Sequence, residues 1–293
     1  MLRNYIFTFV AVIAVACTAT KAPETVKNEP EMLVVESPNL KCNDTVLVYS
    51  PQGDAAVRDI PTAFLLHGYS DNYTSWSNHM DLQAFSDSTG FRIICPDGFY
   101  KSWYVNDADP DKMQWRTFFW DELWPLIDDK YGLKADRTFI TGLSMGGQGS
   151  INIFLDHPER FRGAGSMSGV LNLAHAGSLD KGIAEILGAK DSKDPKYTCQ
   201  SACNRLGRIA EAAAEYGFDP DDKIIVITSG EFDKTYMQGS IDTELKCREL
   251  GLRYIYMMSP EKHTWPYWTW VINYHFDWFQ QILDGGKYNN PKK

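Results

Sequence analysis

Ser144 sits in Gly142-Leu143-Ser144-Met145-Gly146, and Gly147 follows. A serine with glycine two residues away on both sides suits nucleophilic attack on a carbonyl carbon. The glycines leave room for a sharp strand-to-helix turn that presents the hydroxyl. Serine alone is a weak nucleophile and needs a histidine base, itself oriented by a carboxylate. Two histidines lie late enough to serve. His263, in Glu-Lys-His-Thr-Trp-Pro-Tyr-Trp, follows the last apolar run and is the expected base; His275 falls inside a terminal helical pattern, where a core or surface role is expected. The carboxylate should follow the apolar run 224–227, which offers Glu231 and Asp233. Asp233 closes a Gly-x-x-Asp spacing and is favoured over Glu231. Developing negative charge on the substrate oxygen needs main-chain donors. The N–H of Met145, at the start of a helix, and that of Tyr69, in His67-Gly68-Tyr69-Ser70, are the expected pair, with His67 shaping the second loop. Ser166 and Ser168 lack a following helix signal and are expected at a strand end beneath the site. No metal and no cofactor are expected, because no second CxxC or HxxxH group completes a ligand set.

The elements that would hold these residues alternate along the chain. Short apolar runs at 32–35, 45–49, 63–66, 91–95, 138–141, 224–227 and 253–258 read as strands. Helix-length segments at 113–130, 145–156, 201–216, 235–250 and 267–283 lie between or after them. Uninterrupted apolar strands are what a sheet covered on both faces requires, and alternation with helices makes it mainly parallel. The expected fold is therefore α/β, with helices on both faces of a mainly parallel central sheet. Functional residues in such sheets gather beyond the carboxyl ends of the strands.

Ahead of this body, Arg3 and an apolar run over 5–15 form a targeting segment too short for a membrane span. Ala14-Val15-Ala16 fits ordinary signal-peptide cleavage, while the same residues before Cys17 resemble a lipobox, though Ala14 stands where a larger aliphatic residue is usual. A lipid anchor at Cys17 on the cell envelope is the favoured outcome; periplasmic or secreted protein without lipid is the alternative. The expected organisation is a signal peptide at 1–16, a flexible tether at 17–30, one catalytic domain at 31–287 and a polar tail at 288–293. With 29 Lys and Arg against 38 Asp and Glu, the net charge of -9 argues against a nucleic-acid partner. Five cysteines remain beyond Cys17; Cys199 and Cys203 are close enough to pair, and connectivity is left open.

Taken together, Leu-Leu-His-Gly-Tyr (65–69), Pro-Asp-Gly (96–98) with Ser-Trp-Tyr (102–104), Gly-Leu-Ser-Met-Gly-Gly and His-Thr-Trp-Pro-Tyr-Trp (263–268) resemble the esterase D-like branch of the α/β-hydrolases. That branch includes feruloyl and acetylxylan esterases of carbohydrate esterase family one, S-formylglutathione hydrolases and mycolyltransferases. The resemblance runs from about Phe64 to Trp278. It implies Ser144 as nucleophile, Asp233 as acid, His263 as base, and main-chain N–H groups of Tyr69 and Met145 in an oxyanion hole. Trp103, Tyr104, Trp265 and Tyr267 are expected on loops near that end of the sheet, either stacking on a sugar or aromatic acyl group or packing locally. The expected activity is hydrolysis of carboxylic esters, with feruloyl or acetyl groups on plant cell-wall glycans as the leading substrate class. Acyl transfer of the mycolyltransferase type and S-formylglutathione-type thioester hydrolysis are the enzymatic alternatives. A catalytically silent carbohydrate-binding surface protein is the non-enzymatic one.

Overall fold

The computed structural model describes residues 29–53, 55–177 and 180–285. The targeting segment, Cys17 and the polar tail lie outside the described residues. Strands β1 (Glu31–Ser37), β2 (Cys42–Tyr49), β3 (Thr62–Leu66), β4 (Arg92–Cys95), β5 (Thr138–Gly142), β6 (Gly163–Met167), β7 (Ile224–Gly230) and β8 (Tyr254–Ser259) form one sheet among the described residues. Its order is β1-β2-β4-β3-β5-β6-β7-β8. Only β2 runs against the others, pairing antiparallel with β1 and β4. Every other neighbouring pair is parallel.

Alternation along each strand sends side chains to two separate cores. Phe64, Leu66, Ile225 and Ile227 enter one, while Ala63, Leu65, Ile224 and Val226 enter the other. The second core is closed by α1 (Leu82–Thr89) and by α10 (Trp265–Leu283), whose Val271, Ile272, Phe276 and Phe279 are buried. The first is closed by α2 (Trp115–Phe118), α3 (Trp124–Tyr131), α4 (Met145–Asp156) and the segments α5 (Asp180–Leu187), α6 (Pro195–Gln200), α7 (Ala202–Arg205) and α8 (Arg208–Tyr216). Helix α9 (Met237–Leu250) links β7 to β8.

Several elements depart from the expected pattern, α5 and α6 among them as helices that were not expected. The run expected as one helix over 113–130 starts at Trp115 and passes through a π-turn at Phe119–Leu123 before α3. Pro125 explains the turn: it has no N–H for the carbonyl one turn back, and a widened turn keeps its ring off that carbonyl. The run expected over 201–216 divides into α7 and α8 at Leu206-Gly207. Helix α1 was not anticipated, although Asp81 caps its start by accepting the Ala84 N–H and Gly90, at φ 72°, ends it.

Cys42, Cys95, Cys199, Cys203 and Cys247 are all free thiols, so Cys199 and Cys203 do not pair. Cys95 is wholly buried within β4. No helix among the described residues is long and apolar enough to cross a membrane.

The α10 face of the sheet carries one polar insertion. His275 is fully buried between Thr141 of β5 and Thr228 of β7, with a ring nitrogen 3.0 Å from each hydroxyl. The Thr228 hydroxyl donates to the Ser166 carbonyl, so it accepts from His275 Nε2–H, and Nδ1 accepts from the Thr141 hydroxyl. The imidazole crosses over β6 at Gly165, where a Cβ would overlap His275 Nδ1 and stand 2.6 Å from Thr141 Oγ1. His275 thus belongs to the core and takes no part in the site above it.

Candidate active site

Four loops at the carboxyl ends of β3, β5, β7 and β8 converge. Between β5 and α4, Ser144 has φ 51° and ψ -116°, a left-handed backbone that an L-residue adopts at a cost. The turn is pinned on both sides: Leu143 N–H donates to the Leu66 carbonyl (3.2 Å) and Ser144 N–H to the Met167 carbonyl (3.0 Å). The flanking glycines are needed for space. A Cβ on Gly146 would lie 2.5 Å from the His67 carbonyl oxygen, and one on Gly142 would lie 2.6 Å from the Gly146 carbonyl.

Ser144 Oγ is 2.9 Å from His263 Nε2, and His263 Nδ1 is 2.7 Å from Asp233 Oδ2. Asp233 is 4% exposed, whereas Glu231 lies on the surface two residues earlier. A buried carboxylate at that distance fixes the tautomer with the proton on Nδ1 and leaves Nε2 to receive the serine proton. We expect Asp233→Asn to lower kcat on an aryl ester by about 10⁴-fold, because the amide would hold the wrong tautomer. Glu231→Gln should stay within about twofold. Parallel kinetics on the two variants decide between these carboxylates, and a larger loss in Glu231→Gln would reverse the assignment.

Met145 is the first residue of α4, where N–H groups have no intrahelical acceptor. Among the described residues neither its N–H nor that of Tyr69 is paired with an acceptor. The Tyr69 loop is held by His67. Gly98 N–H donates to His67 Nε2 (2.7 Å), His67 Nδ1–H donates to the Gly68 carbonyl (2.8 Å), and Tyr104 Oη–H donates to the His67 carbonyl (2.9 Å). Two main-chain donors beside a helix N-terminus can stabilise an oxyanion formed when Oγ attacks a carbonyl.

Gly68, Tyr69, Leu143, Ser144, His263 and Trp265 are among the residues lining a cavity of about 320 Å³. Trp265, an expected substrate contact, does line it, but one indole face is taken by His79, stacked at 3.7 Å with the planes 5° apart. Trp268 also lines it and meets the His263 ring edge-on at 4.8 Å. Trp103 and Tyr104, expected as substrate contacts, are instead interior residues at 2% and 0% exposure. Tyr104 stacks edge-on against Trp115 and uses its hydroxyl on the His67 carbonyl, and Trp103 backs Tyr69. Tyr267 is likewise buried.

Tyr236 was missed. It lines the cavity, its ring is 4.7 Å from that of His263, and its N–H lies 3.4 Å from Asp233 Oδ1. Its spacing of three residues after the acid was the available signal. No cluster of three metal-ligating side chains occurs among the described residues.

The family model described as "Putative esterase" matches residues 37–244. An acetyl esterase of Caldicellulosiruptor saccharolyticus is 25% identical over 268 residues, covering 84% of this chain and 96% of that protein. Among solved structures, the fluorophosphonate-binding serine hydrolase F of Staphylococcus aureus superposes with a TM-score of 0.71 at 22% identity, covering 85% of this chain and 97% of that one. A ferulic acid esterase superposes with a TM-score of 0.70 at 18% identity, covering 87% and 99%. At these identities the two structures speak for the α/β-hydrolase fold.

Proposed function

The chain belongs to this esterase family and is a serine carboxylic ester hydrolase, and we propose that it works through an acyl-Ser144 intermediate on feruloyl or acetyl esters of plant cell-wall polysaccharides. The observation that carries the mechanism is the hydrogen-bonded series Ser144–His263–Asp233, with 2.9 and 2.7 Å between its members. In the forward step Ser144 Oγ bonds to the ester carbonyl carbon as its proton passes to His263 Nε2. The negative oxygen is received by the N–H groups of Tyr69 and Met145. Collapse expels the alcohol, which takes the proton from His263, and leaves the acyl group on Ser144. Water, deprotonated by the same nitrogen, then bonds to the acyl carbon, and the acid leaves as Ser144 Oγ takes the proton back from His263.

The choice of acyl group is supported by the similarity to an acetyl esterase, which covers 84% of this chain and 96% of that protein. The test is a panel of acetylated xylan, methyl ferulate and S-formylglutathione, assayed with and without a soluble sugar acceptor. The expected result is rapid release of acetate or ferulate, slow thioester cleavage and no acylated sugar. Equal, low rates on all three would place the substrate elsewhere, and acylated sugar as the main product would make the enzyme a transferase.

A further inference from the structure

The catalytic cavity carries a charge that the reaction described above does not use. Of the ten described residues lining it, Asp71 is the only acidic one, and none is Lys or Arg. Lys234 and Lys262, next in sequence to Asp233 and His263, are exposed and lie outside that lining. Asp233 is buried on the far side of the His263 ring. A ligand beside Ser144 therefore meets a carboxylate and no fixed positive charge.

Attack by Ser144 gains nothing from this charge. Asp71 stands two residues after Tyr69, on the loop that supplies one of the oxyanion donors. A carboxylate there opposes the negative charge that those donors stabilise. The loop does not require it either. Asp71 Oδ1 accepts the Asn72 N–H (3.0 Å), and Oδ2 accepts the Ser75 hydroxyl. An asparagine or serine side chain ties a turn in the same way without a charge, and Asn72 does so one position later, accepting the Thr74 N–H at 2.9 Å. The two bonds fix the carboxylate in place while leaving it half-buried at the cavity wall.

Distance makes the charge felt. A cavity of this volume is about 8 Å across, no more than a Debye length at physiological salt, so a charged group bound beside Ser144 lies in the field of Asp71. Tyr69, Tyr236, Trp265 and Trp268 line much of the remainder, and His79 covers only one face of Trp265. Aromatic faces attract cations and repel carboxylates, so they act in the same sense as Asp71. We infer that Asp71 selects esters by charge: those whose acyl part carries an ammonium group, aminoacyl esters among them, are preferred to neutral esters of the same length, and those carrying a carboxylate are disfavoured. This rests on the reading of Ser144 as the acylated residue and adds cationic esters to the substrates the site takes.

The test uses three 4-nitrophenyl esters that share a leaving group and a chain length: the neutral hexanoate, the cationic 6-(trimethylammonio)hexanoate and the anionic hydrogen adipate. Wild type should rank them cation, neutral, anion in kcat/KM. In Asp71→Asn the cation should fall and the anion rise by about threefold each, chiefly through KM, so that their ratio narrows by about tenfold. The hexanoate should rise slightly, since the oxyanion then faces one negative charge fewer. Asp136→Asn, on the surface just before β5 and so at the end of the sheet away from Ser144, removes the same charge and should leave the ratio as it was. If the ratio holds in Asp71→Asn while the hexanoate is still cleaved, or narrows equally in Asp136→Asn, the role of Asp71 is refuted and the hydrolase reading stands. Should Asp71→Asn lose all three substrates by disturbing its loop, inhibition of the wild type decides. Hexyltrimethylammonium should then compete with the hexanoate ester at least about threefold more tightly than the hexanoate ion does, and equal or reversed strength overturns the assignment. If the wild type cleaves none of the three, the hydrolase reading fails on its own account. The same two ions are then titrated against tryptophan fluorescence in wild type and Asp71→Asn. A preference for the cation that the variant loses supports the charge site, and any other pattern overturns it.

Discussion

In a Ser144→Ala variant, kcat on a short-chain aryl ester is expected to fall by on the order of 10⁴- to 10⁶-fold, with the fold intact. The loss is large because the hydroxyl is the atom that bonds to the carbonyl carbon; without it His263 has no nucleophile to activate, and only oxyanion donors and binding remain. The cost to folding is small for reasons visible at the turn. The hydroxyl makes no capping bond to α4, and its one partner is His263 at 2.9 Å. Losing that bond removes about 1 kcal/mol, and alanine pays nothing further at φ 51° that serine did not already pay. Thermal denaturation and aryl-ester kinetics on the purified variant provide the check. Activity within tenfold of wild type would remove Ser144 from its role. A collapse in melting temperature would mean that the kinetic loss reports unfolding.

The second large effect concerns stability in acid. Burial holds His275 down at about 3, against its ordinary 6.5, since a charged imidazolium would have no water around it. The folded chain therefore keeps His275 neutral where the unfolded chain has protonated it. Folding stability from this residue is complete above about pH 6.5 and is lost as pH falls from there towards 3. One proton corresponds to about 1.4 kcal/mol per pH unit, so about 3 kcal/mol should be gone by pH 4. His275→Gln keeps a polar side chain between Thr141 and Thr228 but cannot titrate. It should be less stable than wild type at pH 7, and the gap should close by about 1.4 kcal/mol per unit between pH 6 and 4. Denaturant melts of both proteins across that interval measure it. Parallel stability curves would show that His275 does not govern the acid limb.

The sequence made the sheet and the nucleophile's setting readable because both depend on local requirements. An apolar run such as 63–66 can be buried on both faces only in a covered sheet, and Gly142 and Gly146 answer to atoms within a few residues or on the adjacent strand. The order serine, carboxylate, histidine follows from where strands end, so Asp233 could be preferred over Glu231 before any distance was known. The aromatics were not readable in this way. Trp103 and Tyr104 occupy a polar loop that could face substrate or core; what holds Tyr104 inward is a hydrogen bond to His67 and a ring contact with Trp115, and Trp103 meets the ring of Tyr69, all 11 or more positions away. Tyr100, two residues before Ser102, carries no pattern that marks it as the exposed member of the same loop. The π-turn depended on Pro125 being inside a helix that continues past it, which periodicity alone does not reveal.

The backbone at Ser144 also limits how this catalyst can change. At φ 51° and ψ -116° a residue must tolerate left-handed geometry with strands packed on either side. Side chains with a single heavy atom on Cβ, serine and cysteine, meet that demand at a similar cost. Threonine, branched at Cβ, is a genuine outlier at positive φ and would crowd the turn. The repertoire of nucleophiles open to this scaffold is thereby set by the shape of the main chain before reactivity is considered. A shift from oxygen to sulfur is one substitution away, whereas a secondary alcohol would require rebuilding the turn between β5 and α4.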